Sequence, residues 1–301
     1  MAAQDPQAAL RNFEPKHQFF VGIDSDGCAF DTMELKHKEC FIPNIIKHWN
    51  LQPVSKYARA AAEFVNLYSH WRGANRFPAL IQVFDLLKDW DEVQRRKVAI
   101  PEAKPLRDFI ASGAALGNPA LEEAVKKTGD AILKQTLAWS KAVNASVGDM
   151  VHGVPPFPLV RESLEKMSSW ADMIVVSATP GEALAREWAE HGIDKYAAII
   201  AGQEMGKKAE HLTLAAKGKY KPENMLMVGD ADGDLKAARA AGALFFPINP
   251  GHEDKSWELF YKEGLDVFKA GKYAGDYEAK LIAQFQTYLP TTPPWKNGAA
   301  R

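Results

Sequence analysis

Five short apolar runs punctuate the chain, at 19–23, 173–177, 197–200, 225–229 and 243–248. None alternates with polar residues, so each predicts a strand buried on both faces, as in a parallel sheet. Helical patterns at 180–191, 207–217 and 232–241 separate the last four runs. Strand and helix in alternation predict an α/β fold, a Rossmann-like parallel sheet wrapped by helices. The first run stands apart. Between it and the second, apolar residues recur three and four apart over 34–49, 54–71, 77–90, 106–115 and 119–145, which predicts amphipathic helices. Asn118 before Pro119 marks the start of the last of these. No crossover needs so much chain. The stretch 33–156 therefore reads as an inserted all-helical cap domain, and 17–32 with 157–250 as the catalytic core. Segments 27–32 and 153–158, which carry glycine and proline, serve as its hinges. Residues 251–301 read as a C-terminal helical extension, with helical patterns at 255–269 and 277–289 and a frayed end from Pro290 onward. The first fifteen residues are polar and alanine-rich and read as loose.

Composition narrows the class. The chain has 301 residues, 47% hydrophobic and 25% charged, as a soluble globular protein does. The 37 basic and 38 acidic residues leave a formal net charge of -1. That balance offers no bulk attraction to nucleic acid or acidic lipid, so any bound anion must be held by local groups. The start of the chain lacks the apolar stretch of a secretory signal, and no apolar run is long enough to cross a bilayer. Two cysteines, Cys28 and Cys40, make neither a metal spacing nor a disulfide framework. The expectation is a cytoplasmic protein with no membrane and no nucleic-acid partner.

The chemistry gathers where the predicted strands end. The first runs into Asp24-Ser25-Asp26-Gly27, with Asp31-Thr32 close behind. Ligands of open parallel sheets bind beyond the carboxyl ends of the strands. Two carboxylates one residue apart repel unless a cation lies between them, and magnesium accepts a few such oxygens. Asp24 could ligate the ion and attack phosphorus. Asp26 would protonate the leaving oxygen and later activate water. A helix–loop–helix calcium loop is excluded, because it needs glycine at its sixth position and counting from Asp24 places Ala29 there. The glycine of Asp230-Ala231-Asp232-Gly233 comes fourth, so that loop fails too. No Gly-x-Gly-x-x-Gly follows a strand.

Three more stations agree. Ser177 ends the second strand and is placed to donate to a phosphate oxygen, with helix-start amides nearby. Thr179-Pro180-Gly181-Glu182 reads instead as a capping box. Lys207 or Lys208, at the next helix start, would neutralise phosphate and nucleophile. Asp230 ends the fourth strand opposite Asp24, Asp234 supports it, and Asp232 is placed to cap the following helix.

In this order the four stations resemble the motifs of the haloacid dehalogenase superfamily, in its phosphatase branch with a large helical cap after the first motif. Asp24-Ser25-Asp26-Gly27 with Asp31-Thr32 is similar to the first, Ser177 to the second, Lys207 or Lys208 to the third, and Gly229-Asp230 through Asp234 to the fourth. The resemblance implies a nucleophile at Asp24 and an acid/base at Asp26 with a main-chain metal contact. It implies phosphate binding by Ser177 and the lysine. It also implies a Mg2+ site of Asp24, Asp26, Asp230 and Asp234. The third motif lacks the frequent Lys-Pro, which leaves both lysines open. The implied function is a Mg2+-dependent phosphatase acting on a small phosphorylated metabolite through a phospho-aspartate. Dehalogenases and phosphonate-cleaving relatives lack an acid at the place of Asp26. A phosphomutase of the same superfamily is the alternative, although that branch often has Glu-Asp where Gly229-Asp230 stands. An idle phospho-ligand-binding module is the other. The glycine break between long cap helices offers Arg72, Asn75 and Arg76 to read the rest of the substrate, against a plainer helix–helix turn with solvated arginines.

Overall fold

In the first strand, β1 (Phe19–Ile23), successive side chains part to opposite faces. Phe19, Val21 and Ile23 enter one buried apolar cluster, and Phe20 enters another. The same division runs through β2 (Ala171–Val176), β4 (Met225–Gly229) and β5 (Leu244–Pro247). A sheet covered on both faces explains why these runs carry no polar alternation. The structure, a computed structural model, describes residues 5–297. Its five strands, with β3 at Ile199–Ala201, lie in the order β3-β2-β1-β4-β5, and every pairing is parallel. The chain leaves β1 toward β2 on one side and later returns to β4 on the other. The ends of β1, β2 and β4 therefore flank the switch point where open α/β sheets bind ligands. Helices α1 (Gly181–Glu190), α2 (Lys208–Ala216) and α3 (Asp232–Ala241) fill the crossovers. A later helix, α4 (Asp276–Tyr288), packs on β5.

The chain divides into two compact units, Met1–Thr32 with Gly153–Leu289 and Met33–His152 with Pro290–Arg301. The second is helical. Its core gathers Trp49, Phe77, Phe84, Trp90 and Trp139 with the surrounding leucines and valines. Two of its helices differ from expectation. The run expected at 119–145 is broken into Asn118–Thr128 and Ala131–Met150, because Gly129 turns left-handed (φ 65°) and Asp130 caps the second piece. The run at 34–49 is α-helical only at its ends and passes through a π-helical segment, Lys36–Phe41.

The described residues near each end of the chain are better held than expected. Leu10 is fully buried, and the Lys219 ammonium donates to the carbonyls of Leu10, Arg11 and Phe13. The expected extension 251–301 does not stand apart. Through Leu289 it belongs to the sheet unit, where Glu278 of α4 accepts from the Phe245 amide at 2.7 Å and from Arg239 at 2.9 Å. From Pro290 the chain joins the helical unit. Trp295 stacks on Trp90 with ring centres 4.1 Å apart and meets the Phe64 edge, while Lys296 pairs with Asp89. Residues 298–301 of the expected frayed end lie outside the described residues. Among the described residues no helix is long and apolar enough to cross a membrane.

Candidate active site

Four side chains meet beyond the carboxyl ends of β1 and β4. Asp24 follows β1, and its amide continues the ladder by donating to Val228 O at 3.0 Å. Asp230 follows β4, and Asp234 lies in the first turn of α3. The three carboxylates are buried, and their nearest oxygens lie within 4.8 Å of one another. Lys208 reaches them from α2, with Nζ 2.6 Å from Asp24 Oδ2 and 2.7 Å from Asp234 Oδ1. The two open lysines are thereby told apart. Lys207 is the exposed N-cap of α2, held in extended backbone with its amide donating to Glu210, and only Lys208 faces the carboxylates.

Gly229 makes the packing possible. A Cβ there would lie 2.4 Å from Asp234 Cβ, so no larger residue at this position leaves Asp234 where it is. Asp234 also accepts from the amides of Asp230 and Ala231, both at 3.1 Å. It therefore performs the helix capping expected of Asp232, because its carboxylate turns back over the start of α3.

The electrostatics are unbalanced. Burial, then the carboxylates of Asp234 and Asp230, push Asp24 well above the usual carboxylate range, although Lys208 pulls the other way. Burial disfavours the Lys208 ammonium, but Asp234, Asp24 and Asp230 outweigh it and hold the group protonated beyond its ordinary range. Three carboxylates against one ammonium leave an excess of negative charge that a divalent cation would balance. The donors are all hard oxygens, as magnesium prefers, and Asp24, Asp230 and Asp234 would hold it.

Asp26 stands outside this cluster of carboxylates. Its two oxygens accept from two hydroxyls, Thr32 on one and Thr179 on the other, the latter at 2.6 Å. The sequence pattern places Thr179 in a capping box, which the structure corrects. The N-cap of α1 is Pro180, without a side-chain cap bond, and the Gly181 amide donates to Glu204 at 2.9 Å instead. With the cap supplied from elsewhere, the Thr179 hydroxyl is left for Asp26. Ser177, 2% exposed at the end of β2, accepts from the Thr179 amide at 3.1 Å. A close backbone crossing holds this corner, since a Cβ on Gly202 would lie 2.5 Å from the Gly181 amide nitrogen. Cys28 is buried behind the site, and burial pushes its thiol up, away from the reactive thiolate.

The cap candidates have structural duties within the helical unit, where the two arginines are held by protein groups rather than solvated. Arg72 is 4% exposed and donates to Leu67 O at 2.9 Å. Asn75 caps the helix Arg76–Lys88 and donates to Leu116 O. Arg76 donates to Ser140 and Asn144 and lies over the Phe41 ring. Sequence gives the glycine break but not the direction of the guanidinium groups.

The two lysines suggest a paired test. Lys208→Ala is expected to leave buried carboxylates unpaired, which costs about 3–5 kcal/mol where such a pair is broken. A lower melting temperature, partly recovered by Mg2+, should result, while Lys207→Ala should melt with the parent. Equal melting of all three proteins would contradict the geometry.

A family model described as haloacid dehalogenase-like hydrolase matches residues 112–248. The match includes Ser177, Lys208, Asp230 and Asp234 but begins after Asp24. Over 102 residues the chain is 31% identical to the phosphoglycolate phosphatase of Vibrio parahaemolyticus, covering 32% of this chain and 45% of that protein. The chain thus spans less than half the length of that relative. Among solved structures it is similar to a haloacid dehalogenase-like hydrolase of Xanthomonas campestris (12% identity, TM-score 0.46, 87% of this chain and 96% of the other). It is similar also to a haloacid dehalogenase-like protein of Streptococcus pneumoniae (16%, 0.43, 84% and 97%). Over residues 112–248, which carry the second to fourth sequence motifs, the chain is thus similar to haloacid dehalogenase-like hydrolases.

Proposed function

We propose that the protein is a Mg2+-dependent phosphatase that hydrolyses a small phosphorylated metabolite through a phospho-aspartate on Asp24. The observation that carries this reading is the meeting of Asp24, Asp230 and Asp234 around the single ammonium of Lys208. Asp24 attacks phosphorus, the P–O bond to the leaving group breaks, and Asp26 donates its proton to the departing oxygen. Asp26 then takes a proton from the water that attacks the aspartyl phosphate, which frees inorganic phosphate and restores Asp24. Ser177 and Lys208 hold the phosphoryl oxygens throughout. Magnesium, when bound, supplies charge neutralisation to nucleophile and phosphate alike. The helical unit is the candidate cap, and it would read the organic part of the substrate.

Phosphate release from a panel of phosphorylated metabolites, with and without Mg2+, tests the proposal. Release from none of them, nor from a generic aryl phosphate, would refute it. Isomerised phosphoester without free phosphate would indicate a mutase.

Thr179 gives a finer test. Thr179→Val keeps the shape and removes the hydroxyl that reaches Asp26. A hydrogen bond to a charged group contributes about 1.5–3 kcal/mol, so kcat should fall by roughly 10- to 100-fold with KM little changed. Thr179→Ser should retain most of the rate. Equal kcat in the valine variant and the parent would free Asp26 from this contact.

A further inference from the structure

The residue between the two catalytic carboxylates is itself buried and polar. Ser25 is 0% exposed, and its hydroxyl is used in both directions. It accepts from Trp188 Nε1 at 3.0 Å and donates to Glu187 Oε2 at 3.0 Å. Both partners lie on α1, the helix that begins just after Ser177 and Thr179. The backbone of Ser25 is equally committed. Its amide donates to Asp24 Oδ1 at 2.8 Å, and its carbonyl accepts from the amides of Cys28, Ala29 and Phe30. Trp188 is 0% exposed and packs edge-on against Phe30, with ring centres 5.9 Å apart.

Apolar packing alone does not need this arrangement. An alanine at position 25 would leave no hydroxyl to satisfy, and a phenylalanine at 188 could still fill the space beside Phe30. The hydroxyl instead fixes the rotation of one residue whose two peptide planes carry Asp24 on one side and the turn to Asp26 on the other. The same helix holds the second motif at its start. The geometry points to Ser25, Trp188 and Glu187 as positioning residues for the nucleophile and the acid/base: α1 holds the loop of the first motif in register with the second. This rests on the phosphatase reading of Asp24 and Asp26. Groups that orient a catalytic ligand or nucleophile without touching substrate commonly contribute about 10- to 100-fold to activity.

The test is steady-state kinetics on an aryl phosphate in Mg2+, with melting curves, for the parent, Ser25→Ala, Trp188→Phe, the double variant and Glu187→Gln. Ser25→Ala and Trp188→Phe should each lower kcat by roughly 10-fold or more with KM little changed. The double variant should lose no more than the worse single one, because both remove the same bond. Glu187→Gln weakens the acceptor without removing it and should lower kcat less than either single variant. Parent-like kcat in both single variants overturns the inference and leaves the phosphatase reading standing. So do losses that multiply in the double variant or that appear in KM alone. If Trp188→Phe does not fold, the division between kcat and KM in Ser25→Ala decides. An inactive parent overturns both readings.

Discussion

Asp24→Asn is expected to bring phosphatase turnover down by about 10,000-fold or more, the scale on which removal of a nucleophile acts. An amide has no anionic oxygen to attack phosphorus, yet its shape is nearly that of the carboxylate. The fold should survive, and the structure explains why. Asp24 is buried among Asp230 and Asp234, and its charge is disfavoured there. Removing that charge relieves repulsion, while Lys208 keeps Asp234 at 2.7 Å. The melting temperature should therefore hold or rise in the absence of metal, as when a functional strain is released. Activity and melting curves on one preparation check both halves. Substantial turnover in a folded Asp24→Asn protein would move the nucleophile elsewhere.

Chelation is expected to have an effect of similar size. With a chelator present, the excess negative charge on Asp24, Asp230 and Asp234 faces an anionic phosphoryl group without relief, and turnover should fall to background. Added Mg2+ should restore it. Ca2+ should restore it poorly, because its looser and higher coordination does not hold the attacking oxygen in line. A readout independent of turnover is available. Saturation at about one hundred times the dissociation constant should stabilise the fold by roughly 2.7 kcal/mol, and Asp230→Asn should weaken that gain. Full activity in chelator, or a melting temperature blind to Mg2+ in the parent, would remove the metal from this site.

The sheet was legible because its residues serve one purpose. Val21, Ile23, Leu226 and Val228 face only other apolar groups, so their run in the sequence carries the strand directly, and β1 and β4 match their expected bounds. Motif spacing located the acidic stations for a related reason: each follows a strand end, and strand ends are where this topology collects polar side chains. What escaped was direction and distance. Lys207 and Lys208 are adjacent letters, and only the extended backbone at the N-cap of α2 separates an outward from an inward ammonium. Thr179 obeyed a capping pattern that Glu204 made redundant from across a loop. Arg72 and Arg76 looked solvated because an isolated guanidinium usually is, yet the carbonyls of Leu67 and Ser140 hold them inside the helical unit. The Trp295 stack joins residues far apart in sequence, which no local pattern can register.

That stack bears on the order in which the chain can be made. Trp295 completes an aromatic group with Trp90 and Phe64, and the ribosome delivers it long after the rest of the helical unit has left the exit tunnel. Domains usually fold as they emerge, the N-terminal one first. Here the helical unit must wait for residues synthesised after β5, while β1 must wait for β2 and β4 before it has any neighbour in the sheet. Each unit thus waits for a stretch of chain made after much of the other, and neither can close on its first segment alone.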